Sequence, residues 1–270
     1  MTLAEVKRRL KNAGIDSYEY DAEVLFDSFS GYTKRDRLLT REVDSASETL
    51  ASAVARRCER EPLQYIIGTV GFYREEYKVT PDVLIPRADT EHLVDYAVRN
   101  IPEGECFLDL CSGSGCVGIS TLNNTKNTTA TLVDISPLAL DVARENARLN
   151  DVDGRITFIE ADVTRSIPEG EVYAVLSNPP YIARSVYEAL EPEIGYEPEI
   201  AFVGGEDGGD FYRLIVPMAK RVIKKEGFIA LEIGYDQREL LKALATEHEM
   251  SLEIIKDYSG NDRVAVLKMR

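Results

Sequence analysis

The sequence predicts an α/β fold in which a mostly parallel, doubly wound sheet closes with an antiparallel pair of strands and follows a small helical domain. Three observations lead to this prediction. Apolar stripes at helical spacing fill roughly the first 60 residues, strands and helices alternate from Cys106 onward, and the chain ends in two β-like runs around a turn. Alternating strands and helices are typical of a parallel sheet covered by helices.

The amino-terminal segment is predicted to be helical throughout. Its apolar residues recur at intervals of three and four, which is the spacing of one buried helix face. Gly14, Gly31 and the pair Asp44-Ser45 are the expected breaks between helices. The three stripes are Leu3, Val6, Leu10 and Ile15; then Ala22, Leu25, Phe26 and Phe29; then Leu50, Val54 and Arg57. We therefore predict a helical domain over residues 1–62.

Residues 63–86 are predicted to form a β-hairpin that links two domains. Short β-like pieces with Gly68 and Gly71 between them indicate such a hairpin in "YIIGTVGFYREEYKVTPDVLIP". The domain that follows, residues 87–270, begins with a helix over Glu91 to Asn100, for which Asp89 or Thr90 is the expected cap.

The carboxyl-terminal domain supplies the alternating elements. Helices are predicted near Cys116–Asn123, Pro137–Leu149 and Asp210–Lys224. The tail "LEIIKDYSGNDRVAVLKM" predicts a hairpin that turns at Ser259-Gly260-Asn261-Asp262. The predicted strands are Cys106–Leu110, Ala130–Val133, Ile156–Glu160, Val172–Leu176 and Phe228–Ile233.

Composition excludes several classes of protein. The longest apolar runs are too short to cross a bilayer, and "MTLAEVKRRLKNAGID" lacks the apolar core of a secretory signal, so we expect a cytoplasmic protein. The spacing of the four cysteines matches no zinc pattern, and the chain has only two histidines. We therefore expect no metal site, and cysteines that are reduced and mostly buried.

The net charge of −15 is unevenly distributed. Residues 1–80 hold 13 Lys and Arg against 14 Asp and Glu, a difference of −1, whereas the rest holds 19 against 33, a difference of −14. Binding to phosphate backbones requires clustered cations. The acidic half therefore disfavours nucleic acid as a partner, although a local basic patch can hide in a net charge.

Three successive predicted strands end in an acidic residue around one glycine turn. The turn is "CSGSG", Cys111 to Gly115, and the acids are Asp109, Asp134 and Asp162. Gly113 and Gly115 allow close approach of the backbone to a ligand, although such turns also occur for packing reasons. Asp134 lies 19 residues beyond Gly115, a separation typical of an acid that binds ribose hydroxyls.

The same edge indicates which ligand would bind. Asp162 and Val163 occupy the place of an adenine contact, with a carboxylate for the amine and an apolar side chain for the ring. Carboxylates at each strand end suit an adenosine ligand with a positive centre and suit a pyrophosphate poorly. S-adenosylmethionine fits this pattern better than NAD.

The fourth strand leads into "SNPPYI", which we interpret as the acceptor site for a planar nitrogen. The Asn178 side-chain oxygen and the Pro179 carbonyl can each accept one N–H, while Pro180 fixes the conformation of Pro179. The Tyr181 ring can stack on the planar group. The alternative is a plain proline-rich turn.

These motifs resemble the release factor glutamine methyltransferases, the protein-(glutamine-N5) family of S-adenosylmethionine-dependent methyltransferases. The resemblance covers nearly the full length. It is carried by "PLQYIIGTVGFYREEYKV", "LIPRADTEHLV", "LDLCSGSG", "SNPPYI", "EPEIAFVGGEDGGDFYRLI" and "LEIGYDQ". It implies a class I methyltransferase domain with a Rossmann-like, seven-stranded sheet, and an amino-terminal domain that docks the substrate. The substrate it implies is the glutamine of a Gly-Gly-Gln loop in peptide-chain release factors.

The resemblance also implies roles for individual residues. The catalytic residues would be Asn178, Pro179 and Tyr181, and the acceptor would be held by these together with Pro180, Leu84 and Arg87. An ion pair is the alternative role for Arg87. Residues expected at the methyl donor, which would leave as S-adenosylhomocysteine, are Asp109, Cys111, Ser112, Gly113, Ser114, Gly115, Asp134, Asp162, Val163 and Asn178.

Two departures from the family pattern concern the donor site. Cys111 replaces a common glycine, and Val163 is smaller than the usual residue. Glu232 and Gln237 match family positions, but we assign them no chemistry.

We expect a monomer whose partner is the release factor, without direct nucleic-acid or membrane binding. The alternatives are an N6-adenine methyltransferase acting on RNA or DNA, and a non-catalytic adaptor with the same fold.

Overall fold

The computed structural model describes residues 1–32, Arg35 and residues 45–270. The described chain divides into two compact units. One contains residues 1–69 and 191–196, and the other contains residues 70–190 and 197–270. No helix of the described residues is long and apolar enough to cross a membrane.

The first unit is helical, as predicted. Its helices are α1 (Leu3–Asn12), α2 (Tyr18–Phe29), α3 (Glu48–Cys58) and α4 (Leu63–Ile67). Thr2 and Ser47 cap α1 and α3, since their hydroxyls accept backbone N–H groups of the first turn. The predicted apolar stripes supply the buried core, which includes Val6, Leu10, Leu25, Phe26, Leu50 and Val54. Of the predicted breaks between helices, Asp44 lies outside the described residues.

Arg57 belongs to the third stripe but is not apolar, and its burial is explained by a charge pair. Its Nε donates to Asp21 Oδ2 on α2 at 2.7 Å, and both side chains are buried. A buried cation without such a partner would cost several kcal/mol. The stripe therefore continues through an ion pair between two helices.

The segment predicted as a linking hairpin differs from the prediction at its start. Leu63–Ile67 is helix α4 rather than strand, and the hairpin occupies only β1 (Thr69–Phe72) and β2 (Glu75–Lys78). Pro62 precedes the helix, where a missing N–H is tolerated, and Gly68 ends it at φ +87°. Packing of Leu63 and Ile66, three residues apart, into the helical core outweighs the β propensity of the isoleucines.

The second unit is built on a seven-stranded sheet with the strand order β5-β4-β3-β6-β7-β9-β8. Strands β3 to β7 run parallel, and β9 is antiparallel to both β7 and β8. The strands are β3 (Cys106–Leu110), β4 (Thr129–Asp134), β5 (Ile156–Glu160), β6 (Val172–Ser177), β7 (Ile223–Glu232), β8 (Met250–Lys256) and β9 (Asp262–Met269). This confirms the predicted α/β class and the closing antiparallel hairpin.

Helices cover both faces of this sheet. The helices of this unit are α5 (Glu91–Asn100), α6 (Cys116–Asn123), α7 (Pro137–Leu149), the short α8 (Arg184–Tyr187), α9 (Asp210–Val222) and α10 (Arg238–Glu247), of which α8 buries no residue. Side chains of α5, α6 and α7 share one core with strand residues such as Phe107, while α9 and α10 share another with Leu108. Neighbouring residues of a strand thus face opposite cores, because successive side chains of a β-strand point to opposite faces of the sheet.

Helices α8 and α10 were not anticipated, and strand β7 is longer than predicted. No helix was predicted over α10, although Leu241, Leu244 and Ala245 are buried at helical spacing. Strand β7 begins at Ile223, five residues before the predicted Phe228, because Ile223 pairs with Val172 of β6.

All four cysteines are free thiols, but only Cys116 is buried, so the expectation of mostly buried cysteines is wrong.

Candidate active site

The carboxyl ends of the parallel strands surround a cavity of about 330 Å³. The strand order reverses between β3 and β6, and ligands of open α/β sheets bind at such a reversal. Residues that follow β3, β4, β5 and β6 all contribute to the wall. The sequence-predicted residues in this wall are Leu84, Cys111, Gly113, Asp134, Asp162, Val163, Asn178 and Pro180.

The glycine turn after β3 brings only part of its residues to this cavity. Cys111 and Gly113 line it, whereas Ser112, Ser114 and Gly115 belong to the turn without lining the cavity. Cys111 has φ +57°, a left-handed conformation that explains why a glycine is expected here. Burial and the nearby Asp134 raise the pKa of the Cys111 thiol, so it stays protonated.

Gly115 is required for packing instead. Its φ is +80°, and an added Cβ would lie 2.9 Å from the Ile119 side chain and 3.2 Å from that of Ala143. The first turn of α6 and the middle of α7 therefore approach the turn closely. The packing role of such turns, which the sequence left open, applies to this glycine.

Asp134, the last residue of β4, is fixed in the cavity wall by backbone donors. Its Oδ2 accepts the Gly113 N–H at 2.8 Å, and its Oδ1 accepts the Ser136 N–H at 2.9 Å. Burial raises the pKa of Asp134, and these two bonds oppose the increase. Each oxygen retains a lone pair, so the carboxylate can still accept hydroxyl groups from a ligand.

Asp109 lies apart from the cavity lining. It is 1% exposed, and its Oδ2 accepts the Gly118 N–H at the start of α6 at 2.8 Å. Burial raises its pKa to about 7. The structure therefore gives this acid a partner within the fold.

Asp162 and Val163 follow β5 and line the cavity together. Asp162 Oδ1 accepts both the backbone N–H of Thr164 at 2.9 Å and its hydroxyl at 2.6 Å. These bonds lower the pKa of Asp162, so it is ionised at neutral pH. Val163 is buried and supplies an apolar surface beside that charge.

The corner after β6 is held to its neighbours by hydrogen bonds on both sides. Ser177 Oγ donates to the Leu110 carbonyl at 2.7 Å, which ties the end of β6 to β3. Ile182 N–H donates to the Phe202 carbonyl at 2.8 Å, and Gly204 N–H donates to the Ile182 carbonyl at 2.9 Å. The SNPPY segment is thus a fixed wall between the sheet and the 198–205 loop.

A second, smaller cavity of about 80 Å³ lies against this corner. Asn178 and Leu84 line both cavities, and Tyr181 and Arg87 line the smaller one. Pro180 lines only the larger cavity, and Pro179 lines neither. The other residues around the small cavity are Ile182, Ala201, Phe202 and Glu232.

Hydrogen bonds orient the two polar side chains of the corner. Asn178 Nδ2 donates to Thr90 Oγ1 at 3.2 Å, whereas Asn178 Oδ1 has no hydrogen-bond partner among the residues that the structure describes. Tyr181 donates its hydroxyl to Glu232 Oε1 at 3.0 Å. Burial and the charge of Glu232 raise the pKa of Tyr181, so the phenol keeps its proton.

Arg87 has the ion pair that was its alternative role, and it also lines the small cavity. Its guanidinium donates to Glu197, whose other oxygen accepts the Ile85 N–H at 2.9 Å. Burial raises the pKa of Glu197, and Arg87 opposes that increase. The pair fixes the Leu84 to Arg87 segment beside the cavity.

Thr90 and Glu232 are polar residues of the site to which the sequence assigned no role there. Asp89 or Thr90 was expected to cap α5; Thr90 has the N-cap position, but its hydroxyl makes no cap bond and instead accepts from Asn178. Glu232 closes the small cavity at the end of β7. A threonine directly before a helix and an acid at a strand end were the available signals, and neither specifies a partner.

Gln237, which matched the family without an assigned role, supports the corner from outside. Its Nε2 donates to the Tyr181 carbonyl at 2.9 Å, and its Oε1 accepts the Tyr212 hydroxyl at 2.9 Å.

Within the described residues, no group of three or more His, Cys, Asp or Glu side chains could hold a metal ion.

Comparison with known proteins identifies the family. Residues 2–68 match the family model "PrmC N-terminal domain", and residues 90–191 match "Methyltransferase small domain". A release factor glutamine methyltransferase from Caulobacter vibrioides is 37% identical over 96% of this chain and 92% of the relative. One from Geobacter sulfurreducens is 38% identical over 94% and 91%.

A solved structure supports the fold. The ribosomal protein L11 methylase from Lactobacillus delbrueckii subsp. bulgaricus superposes with a TM-score of 0.53 at 15% identity, covering 71% of this chain and 84% of that chain. The second unit has the class I S-adenosylmethionine-dependent methyltransferase fold, with its mostly parallel sheet and antiparallel last strands. The full-length similarity to the curated relatives makes this chain a member of the release factor glutamine methyltransferases.

Proposed function

We propose that this protein transfers a methyl group from S-adenosylmethionine to the side-chain amide nitrogen (N5) of the glutamine in the Gly-Gly-Gln loop of peptide-chain release factors. The observation that carries the proposal is that Asn178 lines both the 330 Å³ cavity and the 80 Å³ cavity. One side chain thereby borders a space for a donor and a space for an acceptor. The names of the relatives support a glutamine acceptor over the adenine alternative.

The residues of the larger cavity fit the methyl donor. Asp134 would hold the ribose hydroxyls, and Val163 with Asp162 would contact the adenine. Cys111, Gly113 and Asn178 complete this wall, while Ser112, Ser114, Gly115 and Asp109 shape the turn behind it. When bound, S-adenosylmethionine supplies an electrophilic methyl group on a cationic sulfur. Neighbouring carboxylates suit that positive charge.

The residues of the smaller cavity would hold the acceptor amide. Asn178 Oδ1 accepts one N–H of the glutamine. The resemblance to the family assigns the other N–H to the carbonyl of Pro179, which adjoins Asn178 but lines neither cavity. Tyr181 presents its ring to the planar amide, and Leu84 and Arg87 complete the wall. An amide nitrogen is a weak nucleophile because its lone pair is delocalised. Two acceptors that fix both hydrogens hold that nitrogen in one orientation.

The rest of the molecule would serve recognition. We propose that residues 1–62 dock the release factor, residues 63–86 link the domains and residues 87–270 carry the chemistry. A net charge of −15 offers little to a phosphate backbone, so we infer that the partner is the protein factor rather than RNA. We further propose that the enzyme acts as a cytoplasmic monomer without a metal.

Transfer of labelled methyl from S-adenosylmethionine tests the proposal. The acceptors are an intact release factor, the same factor with its loop Gln→Ala change, and total RNA. We expect label on the intact factor alone, because only that acceptor presents the glutamine amide. Label on the Gln→Ala factor would overturn the assigned atom. Label on RNA alone would overturn the assigned substrate.

A further inference from the structure

Glu232 is a buried acid placed between the two polar side chains of the SNPPY corner. It is the last residue of β7, and its predecessor Leu231 pairs with Ser177, the residue before Asn178. The side chain is 2% exposed and borders the 80 Å³ cavity. Its Oε1 accepts the Tyr181 hydroxyl, and its Oε2 is buried without a hydrogen-bond partner among the described residues.

Thr90 is hydrogen-bonded to Asn178. Its hydroxyl, on a residue that is 1% exposed, accepts Asn178 Nδ2 at 3.2 Å, and it is near enough to Glu232 to oppose the rise in the pKa of that carboxyl that burial causes. A hydroxyl has one proton to donate and can accept as well. A carboxylate only accepts, so a Thr90 proton directed at the unpartnered Glu232 Oε2 leaves an oxygen lone pair for Asn178.

The direction of that proton decides which end of the Asn178 amide faces the acceptor. A lone pair on Thr90 can be satisfied only by the NH₂ end of Asn178, so Oδ1 is left for the ligand. If Thr90 donated to Asn178, Oδ1 would turn inward and the NH₂ group would face the acceptor. Two N–H groups would then oppose each other, and the acceptor nitrogen would lose its hydrogen-bond partner.

We propose that the Thr90 hydroxyl directs its proton to Glu232 and that both are positioning residues that keep Asn178 Oδ1 directed at the acceptor amide, an inference that rests on the function proposed above. Glu232 also fixes the Tyr181 hydroxyl, so one carboxylate orders both side chains of the corner. Its surroundings favour this role. Arg263, which pairs with Asp89 at 3.1 Å and Asp257 at 3.3 Å, is close enough to oppose the rise in the pKa of Glu232 that burial causes.

Two substitutions disturb this arrangement in different ways. In Glu232→Gln the new NH₂ can donate to Thr90, which sends the Thr90 proton to Asn178 Oδ1 and reverses the amide. Thr90→Val removes the hydroxyl and leaves Asn178 Nδ2 without its partner. We expect kcat to fall about 100-fold in the first variant and at least about 10-fold in the second, because misorientation acts on the transferred group. The KM for the methyl donor should change less than about threefold.

The conservative variant and a matched control separate positioning from stability. Thr90→Ser retains the hydroxyl and should restore kcat to within about threefold of the wild type. Thr121→Val makes the same change at another buried threonine, on α6, whose hydroxyl has no partner among the described residues, and should leave kcat unchanged. An unchanged kcat in Thr90→Val, or a loss in Thr90→Val that Thr90→Ser shares, would overturn the proposal.

An NMR measurement tests the orientation without any turnover. The side-chain NH₂ resonances of Asn178 are assigned by their loss in Asn178→Asp. We expect them to shift in Thr90→Val and Glu232→Gln and to stay in place in Thr90→Ser and Thr121→Val. Resonances that do not respond to Thr90→Val would overturn the positioning role, even in an active enzyme. Shifts as expected in a protein that methylates no release factor would overturn the proposed function alone.

Discussion

Asn178 is a polar residue that lines both cavities, and within the described part of the chain only the nitrogen end of its side-chain amide has a hydrogen-bond partner. Its Nδ2 is bonded to Thr90, so its Oδ1 is the group available to an acceptor amide. We expect Asn178→Ala to lower methyl transfer by at least about 100-fold, because a positioned hydrogen-bond partner at the reacting nitrogen is lost. Donor affinity should fall far less, since the other residues of the larger cavity remain. Transfer assays and calorimetric titration with S-adenosylmethionine measure the two effects.

The control for this variant is Asn100→Ala. Asn100 ends α5, lines neither cavity, and donates through its side-chain amide to the Tyr96 carbonyl at 2.9 Å. The same truncation there should leave transfer intact. Transfer by Asn178→Ala at the rate of the control would contradict the role assigned to the SNPPY corner.

Single residues also show how far the sequence could predict the site. Asn178 and Tyr181 were identified because their motif is contiguous, and Asp134 because its spacing from the glycine turn is regular. Thr90 and Glu232 meet these residues across 88 and 51 positions of the chain. No local pattern encodes a hydrogen bond at that separation, because it arises only when distant elements of the chain pack together.

At the scale of elements, the turn between β3 and α6 contains two glycines, one with backbone strain as the only obstacle to a side chain and one with close packing as well. Gly113 and Gly115 both have positive φ, but an added Cβ meets nothing within 4 Å at Gly113 and lies 2.9 Å from Ile119 at Gly115. We expect Gly113→Ala to lower the free energy of unfolding by about 1 kcal/mol through strain alone. Gly115→Ala should lower the free energy of unfolding by about 1–3 kcal/mol more than Gly113→Ala does, because the new methyl group overpacks the contact with α6 and α7.

Urea unfolding of the two variants measures this difference. Gly113→Ala serves as the control, since it carries the same change in the same turn. Equal unfolding free energies for the two variants would mean that α6 moves away at little cost. In that case the glycine at position 115 would not be required for packing.

Helices α5, α6 and α7 were predicted at their observed bounds. The prediction was wrong where tertiary packing decided the outcome. Helix α4 contains β-branched residues but buries Leu63 and Ile66 in a helical core. The extra length of β7 comes from its pairing with β6 at Val172, which is 51 residues from Ile223. Propensity is a local quantity, and both of these outcomes depend on distant partners.

At the scale of the whole molecule, acidic residues divide into two groups by the sign of their effect on stability. Burial raises the pKa of Asp109, Asp134, Glu197 and Glu232, so their ionisation opposes folding. Hydrogen bonds to cations, hydroxyls or backbone N–H groups lower the pKa of Asp162, Asp207, Asp257 and Asp262, so their ionisation favours folding. Stability therefore depends on pH in opposite directions for the two groups.

Asp109 allows the first effect to be isolated. Its pKa is about 7 in the folded protein, against 3.8 for the ordinary carboxyl, so between these values the folded state binds the extra proton. Its contribution to stability therefore falls as pH rises through this window. Asp109→Asn cannot titrate, yet its side-chain oxygen can still accept the Gly118 N–H. Relative to the wild type, the variant should gain about 4 kcal/mol between about pH 4 and pH 8.

Urea unfolding of both proteins at about pH 5 and about pH 8 measures most of this gain. The control is Asp207→Asn, where Arg213 holds the pKa of the exposed carboxyl at about 2. That acid is ionised at both pH values in the folded state, and it is almost fully ionised in the unfolded state, so the difference from the wild type should stay nearly constant. If the difference in unfolding free energy between Asp109→Asn and the wild type were also independent of pH, burial would not raise the pKa of Asp109. A difference in unfolding free energy that grows with pH in Asp109→Asn alone would show that burial keeps the Asp109 carboxyl neutral in the folded protein. It would also show that the wild-type protein loses stability as this carboxyl ionises.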